Sequence, residues 1–382
     1  MMKKFEKKII AMAVAAAVIF GGIGINSVTA AAVNEGQIIL PVIVNGHKVK
    51  FPDTEPYVDE NGRTMVPVRF VSEKLGGEVK WNNETNSVTI KTADKDISLT
   101  IGSKTPTVNG QTIELDTAAA KVDGRTMVPL RFVSEALDSK VTWDAGANAV
   151  QITDAAYQAK IDNGSVKLDA WGRELGIPDS RWNKLVDIPD YVYHLATPAE
   201  LTNKEFFSKG LDWVNKEHID MWAGKIRNYY KAQLNIDYRT INEADFVASL
   251  LNEMDLGSSY YKTQGVEGIK RYVAWVKKNH VIAKGYADPE NSLVRYLFGA
   301  PIFRTHFKFM IVQADDTAQT FMDNWEVTHK SDSFKLKTGV WYDGYSDVGM
   351  YTHFGNNQED HYGIAGFENM FQRDRYKYVE LK

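Results

Sequence analysis

The chain has 382 residues, 44% hydrophobic and 25% charged, with a formal net charge of −4. This balance is ordinary for globular proteins, excludes a disordered composition and leaves room for about two or three domains. The absence of cysteine excludes disulfides, thiolate metal sites and cysteine nucleophiles, and the lack of a basic excess argues against nucleic-acid binding.

At the N-terminus, Lys3, Lys4, Lys7 and Lys8 precede an apolar run over residues 9–25, and Val28-Thr29-Ala30 offers a small-residue cleavage site. This succession predicts a secretory signal peptide over 1–30, or a short membrane anchor if it is retained. No later segment is apolar over a length that spans a bilayer. Together with the missing cysteine, the pattern points to export from a Gram-positive bacterium, to the medium or the cell wall.

Residues 62–90 read GRTMVPVRFVSEKLGGEVKWNNETNSVTI, and residues 124–152 read GRTMVPLRFVSEALDSKVTWDAGANAVQI. More than half of the aligned positions are identical without a gap, so 33–153 reads as a tandem array. Each copy opens on a turn pair, Asn61-Gly62 or Asp123-Gly124, that tolerates positive φ. Pro67 and Pro129 suit the first turn of a helix. Val68, Val71 and Leu75, and in the second copy Leu130, Val133 and Leu137, then recur at helical spacing. Gly76-Gly77 ends the first helix, and strands follow around Trp81 and 87–90, or Trp143 and 150–152. A Val-Asn-Gly turn ahead of each copy, at Asn45 and Asn109, predicts a hairpin. The expected unit is hairpin, short helix, two strands. Arg69 and Arg131 are expected to pair with Glu73 and Glu135 at i+4 in preference to binding an anionic polymer. Trp81 and Trp143 are expected in the repeat core in preference to stacking on a glycan.

The pattern GRTMVPxRFVSExL, with its Trp strand and closing V-x-I, resembles the copper amine oxidase N-terminal-like domain, also called a stalk domain. That domain is common in exported proteins of Bacillota such as Paenibacillus. The resemblance covers about 38–153 and implies an α+β accessory module on an envelope or secreted protein. It does not carry oxidase chemistry over to this chain. The quinone-forming Tyr of those oxidases lies in T-x-x-N-Y-[D/E]. The nearest approach here, Lys225-Ile226-Arg227-Asn228-Tyr229-Tyr230, has Lys for the Thr and Tyr for the acid. No His-x-His copper pair is present, and the sequence names no cofactor.

Residues 154–165 (DAAYQAKIDNGS) are small and polar and read as a linker. Beyond it the chain becomes rich in aromatics, and 166–382 reads as a separate α+β domain, helices first and antiparallel sheet second. Thr197-Pro198-Ala199-Glu200 predicts a helix start. Residues 211–234 place Val214, Met221, Trp222, Ile226 and Tyr229 on one stripe. Thr240-Ile241-Asn242-Glu243 predicts another start, before Phe246, Leu250 and Leu251. Residues 265–283 set Ile269, Tyr272, Val273 and Val276 on one face. The period then changes: Phe303, Thr305, Phe307, Phe309 and Ile311 alternate with Arg304, His306, Lys308 and Met310, an amphipathic strand with His306 on its polar side. Further strands are expected near 324–328, 333–342 and 349–354.

The candidate metal or acid–base residues are Asp343, Asp347, His353, Glu359, Asp360 and His361, in DGYSDVGMYTHFGNNQEDHYG. Carboxylates and imidazoles on turns can ligate a divalent cation or exchange protons. Their spacing matches no HExxH, His-x-His or EF-hand template, and surface loops between strands account for the same composition. No catalytic residue is assigned, since Gly344 to Val348 misses GxSxG at its last position. His218 and His280 read as partly buried helix residues. The favoured function is a non-enzymatic envelope or extracellular protein whose repeat positions or anchors a C-terminal binding domain. Its expected partner is a cell-wall polymer or an envelope protein, with no nucleic acid and no membrane span after signal cleavage. The alternative is a secreted hydrolase or metal-dependent enzyme with its site near His353 and His361.

Overall fold

A computed structural model describes residues 39–176, 184–193, 215–255, 259–297, 300–317, 336–351, 363–364 and 378–381. The expected signal peptide, the helix start at 197–200 and the strand near 324–328 lie outside them.

The N-terminal region starts with a hairpin, β1 (Val42–Val44) and β2 (His47–Lys48), turned by Asn45 and Gly46 at positive φ. Strands β3 (Tyr57–Val58) and β4 (Thr64–Pro67) lead into helix α1 (Val68–Lys74). Then come β5 (Glu78–Asn82), β6 (Ser87–Lys91) and β7 (Asp96–Thr100). A second hairpin, β8 (Thr107–Val108) and β9 (Gln111–Thr112), precedes β10 (Ala120–Val122) and β11 (Arg125–Pro129). Helix α2 (Leu130–Ala136), β12 (Ser139–Asp144) and β13 (Ala149–Asp154) complete the region. Each helix is entered from a short strand rather than directly from a turn. Pro67 and Pro129 close those strands at φ −62° and −58°, the fixed angle from which a helix can begin.

Strands β4 and β11 pair antiparallel, with Val66 opposite Val128, its own counterpart in the sequence alignment. The two copies therefore face each other across a local two-fold. Their hairpins are exchanged. β1 lies parallel to β13 in the sheet β12-β13-β1-β2, while β8 and β9 extend the sheet β5-β6-β7-β8-β9. Each hairpin thus completes the sheet that holds the other copy's strand pair. One core, including Val42, Val66, Ile90, Val128 and Ile152, is shared between them. A single copy would have too few large apolar side chains to close such a core alone.

The two tryptophans differ. Trp81 is half-buried, with Lys121 Nζ 5.5 Å from its ring. Trp143, expected in the core, is 53% exposed. The position matching Lys121 is Asp59, which accepts from the Thr117 hydroxyl at 2.8 Å and has no cation to lay on an indole. The paired arginines differ as well: Arg69 stands 3.9 Å from Glu73, while Arg131 makes no ion pair among the described residues.

The segment expected as a linker holds helix α3 (Ala155–Asp162). Asp154 caps it, accepting from the Tyr157 amide at 2.7 Å, and the buried Tyr157 donates its hydroxyl to Glu174 at 2.7 Å. Asp154 also ends β13, so one residue closes the strand and starts the helix.

After α4 (Asp190–Tyr193) come α5 (Lys216–Leu234), β14 (Ile236–Asp237), α6 (Glu243–Leu251) and α7 (Ser259–Lys278). The long strands β15 (Ile282–Leu297), β16 (Ala300–Gln313) and β17 (Trp341–Tyr351) follow, with β18 (Gly363–Ile364) and β19 (Tyr378–Leu381) paired to β17. The chain is α+β, with an antiparallel sheet after the helices. On one face of the sheet, Trp222 and Tyr230 of α5 meet Phe303 and Phe307 edge-on. Asn215 and His218 form a capping box at the start of α5, so His218 serves as a cap. Helix α6 is capped by Asn242 rather than Thr240. His280 is exposed beyond α7 at positive φ, bonded to Asp315 at 2.7 Å, not half-buried on a helix.

Two features of the long strands prepare the site. The β15–β16 register slips between Pro289 and Val294, so Glu290, Asn291, Ser292 and Leu293 bulge from the ladder. Pro289 lacks the N–H that a ladder needs, and a bulge is where a sheet tolerates it. Strand β17 runs straight through 343–347, a stretch whose composition had pointed to surface loops. Alternation sends Tyr342, Val348 and Met350 into the helix-facing core and Asp343, Tyr345 and Asp347 to the opposite face.

Candidate functional site: a buried charged junction

The polar face of β16 is covered, not solvated: Arg304 is 3% exposed and Lys308 1%. Residues near the start of the repeat lie over part of it, and Leu185, Ile188, Val192 and Tyr193 pack with Tyr345 on the same side. Charges taken out of water are costly unless paired, so their partners decide what the face does.

Lys308 Nζ donates to the Phe51 carbonyl at 2.8 Å and to Glu55 at 2.9 Å, and lies 5.3 Å from the Trp341 ring. Both acceptors belong to the N-terminal region, 257 and 253 positions away in the chain. Burial pushes the Glu55 carboxyl above its usual range, against the pull of Lys308. It also pushes the Tyr286 hydroxyl, which donates to Glu55 at 3.1 Å, well above its ordinary value.

From β2, Lys48 reaches Asp288 at 2.5 Å and Glu290 at 3.2 Å. Glu290 also accepts from Arg173 Nη1 at 2.8 Å, while Arg173 Nη2 donates to Asp187 at 2.7 Å. Burial opposes the ionisation of Glu290, but Lys48 and Arg173 outweigh it and hold the pKa at about 2. Glu290 and Asp187 in turn keep Arg173 charged despite its burial. The bulge makes this possible. Freed from the ladder, Glu290 serves the junction, while Asn291 donates to Asp220 of α5 at 2.7 Å and Ser292 to Asp169.

The structure places two of the candidate site residues. Asp343 pairs with His306 Nε2 at 2.9 Å. Burial would raise its pKa, but the hydrogen bond and charge of His306 hold the carboxyl below its usual value. Asp347 is bound to Arg304 Nε at 2.6 Å. Both lie on one face of β17, each tied to its own cross-strand partner, and they do not converge. His353, Glu359, Asp360 and His361 lie outside the described residues. No group of three or more His, Asp or Glu side chains suited to a metal occurs among the described residues.

A cavity of about 50 Å³ lies among Lys48, Asp288, Glu290, His306, Asp343 and Tyr345. That volume takes about one or two water molecules and no organic substrate. The arrangement is suited to clamping, with each charge answered by one from another part of the chain. Sequence reasoning missed Lys48, Glu55, Arg173, Asp288, Glu290 and Lys308. The available signal was the charge at alternate positions of β16, but partners so remote in the chain are not readable from one sequence.

Residues 43–152 match the family model of the copper amine oxidase N-terminal domain. The chain has no match among curated proteins. Lys48, Phe51 and Glu55 fall inside the matched domain. Arg173, Asp288, Glu290 and Lys308, which answer or extend their contacts, fall beyond it.

Proposed function

We propose that this is an exported, non-enzymatic protein of the cell envelope or extracellular space. In it, the copper amine oxidase N-terminal domain anchors and positions a C-terminal binding domain. The junction is the observation that carries the reading. Lys48 and Glu55 of the module are answered by Asp288, Glu290 and Lys308 of the sheet, so the module is docked on the C-terminal part and not merely strung to it. Docking through buried charge fixes one relative placement, as a positioning device must. The hexapeptide nearest the quinone motif, residues 225–230, also speaks against oxidase chemistry. Tyr229 is 1% exposed in the core, and Asn228 donates to Glu253 at 3.3 Å. The alternative hydrolytic or metal-dependent reading is weakened where it is described, because Asp343 and Asp347 already hold His306 and Arg304.

Co-sedimentation of the chain lacking residues 1–30 with Gram-positive cell walls tests the proposal. We expect the protein to pellet with the walls. A protein that stays in the supernatant, or one that hydrolyses wall material, would overturn it.

A further inference from the structure

An open groove of about 840 Å³ crosses the second repeat copy between α2, β12 and the chain after β9. Its volume is within the range of sites that enclose small organic ligands, roughly 300–1,000 Å³. Trp143 stands on one wall, more than half of it exposed, and its indole has no ring, cation or hydrogen-bond partner among the described residues. Of the charges lining the groove, Arg63 is paired with Asp116, and Lys95 with Asp138 at 2.8 Å. Arg131, Glu114 and Glu135 have no ion pair among the described residues.

We propose that this groove binds a short segment of an uncharged glycan, with Trp143 as its stacking platform. Three observations choose that occupant. An indole face left open to water suits the C–H face of a sugar ring, which covers apolar area without demanding a counter-charge. Arg131 only donates hydrogen bonds and the carboxylates of Glu114 and Glu135 only accept them, whereas a hydroxyl does both and can satisfy either kind. A polyanion would be repelled by the two unpaired carboxylates, which outnumber the one unpaired guanidinium. The first copy lacks such a platform, because Lys121 lies over Trp81 and the Trp81 Nε1 donates to Asn83. The ligand's place in the envelope rests on the anchoring reading above; the groove's chemistry does not.

Isothermal titration of the chain lacking residues 1–30 with chitotriose, a neutral trimer of N-acetylglucosamine, tests the site. We expect saturable binding that Trp143→Ala and Arg131→Ala each weaken by about tenfold or more, as loss of an interface anchor does. Trp81→Ala serves as the control and should leave it unchanged. Circular dichroism of each variant separates loss of contact from loss of fold, and both exposed positions should tolerate truncation. No saturable binding, or equal binding by Trp143→Ala, overturns the proposal, as does binding of poly-glutamate in preference to chitotriose. Chitotriose binding without wall sedimentation would uphold the groove and remove the anchoring role. Wall sedimentation with no chitotriose binding would do the reverse.

Discussion

Arg173 holds two carboxylates, Glu290 and Asp187, at a place that water barely reaches. Truncating it leaves both acids without that cation, and Glu290 is left with Lys48 alone. We expect Arg173→Ala to lower unfolding free energy by about 3–5 kcal/mol, the usual penalty for orphaning a buried charge, measured by urea denaturation at neutral pH. Glu290 carries a pH signature too. Its folded pKa of about 2 lies below the ordinary glutamate value of 4.5, so its contribution is fully present above pH 4.5 and drains away as pH falls towards 2. The full effect is about 3 kcal/mol at 1.36 kcal/mol per unit. Glu55 works in the opposite sense. Its raised pKa gives a contribution that is present at low pH and is lost as pH rises through the folded value. Denaturation followed from pH 6 to 2 should therefore show a steep acid loss that flattens in Glu290→Gln. An equally steep loss in the variant would assign the acid sensitivity to other carboxylates.

Among the elements, cap and bulge residues do more than end or interrupt regular structure. Asp154 both caps α3 and accepts from Asn45 Nδ2 at 2.7 Å, tying the helix to the first hairpin. Asp154→Ala should lower stability by about 1 kcal/mol for the cap alone, and by more through the lost hairpin bond, read as a fall in melting temperature. The elements differed in how far the chain announced them. Helices α5 and α7 were legible because Trp222, Ile226, Ile269 and Val273 repeat at helical spacing and that same stripe is what packs. Strand β17 was not, since Asp343, Gly344 and Asp347 carry turn composition. Only the partners across the ladder, His306 and Arg304, make those acids acceptable in a strand. Strand β15 was hidden by Pro289, which argues against a central strand unless a bulge is foreseen. The site was legible in residue type and not in membership. Asp343 was singled out, but its partner follows from the β16–β17 register, and Glu290 follows from a bulge that no local pattern marks.

Across the whole molecule, the junction joins the matched domain and the long sheet through charges that neither would bury alone. The chain from 39 onward should therefore melt as one cooperative unit in calorimetry, with agreement between calorimetric and van't Hoff enthalpies. Lys308→Ala, which strands Glu55 and the Phe51 carbonyl, should split that transition into two. A single unchanged transition would mean that the junction contributes little to cooperativity. The pairing of β1 with β13 has a mechanical consequence. The two strands run in the same direction although they stand at opposite ends of the module. Tension between the chain ahead of Val42 and the chain beyond Asp154 pulls them past each other lengthwise. The pairs from Val42–Val150 to Val44–Ile152 then bear the load together, in shear, where an antiparallel pairing of the same ends would peel open one bond at a time. Single-molecule pulling on those two points should find a module that resists stretching and then yields in one step.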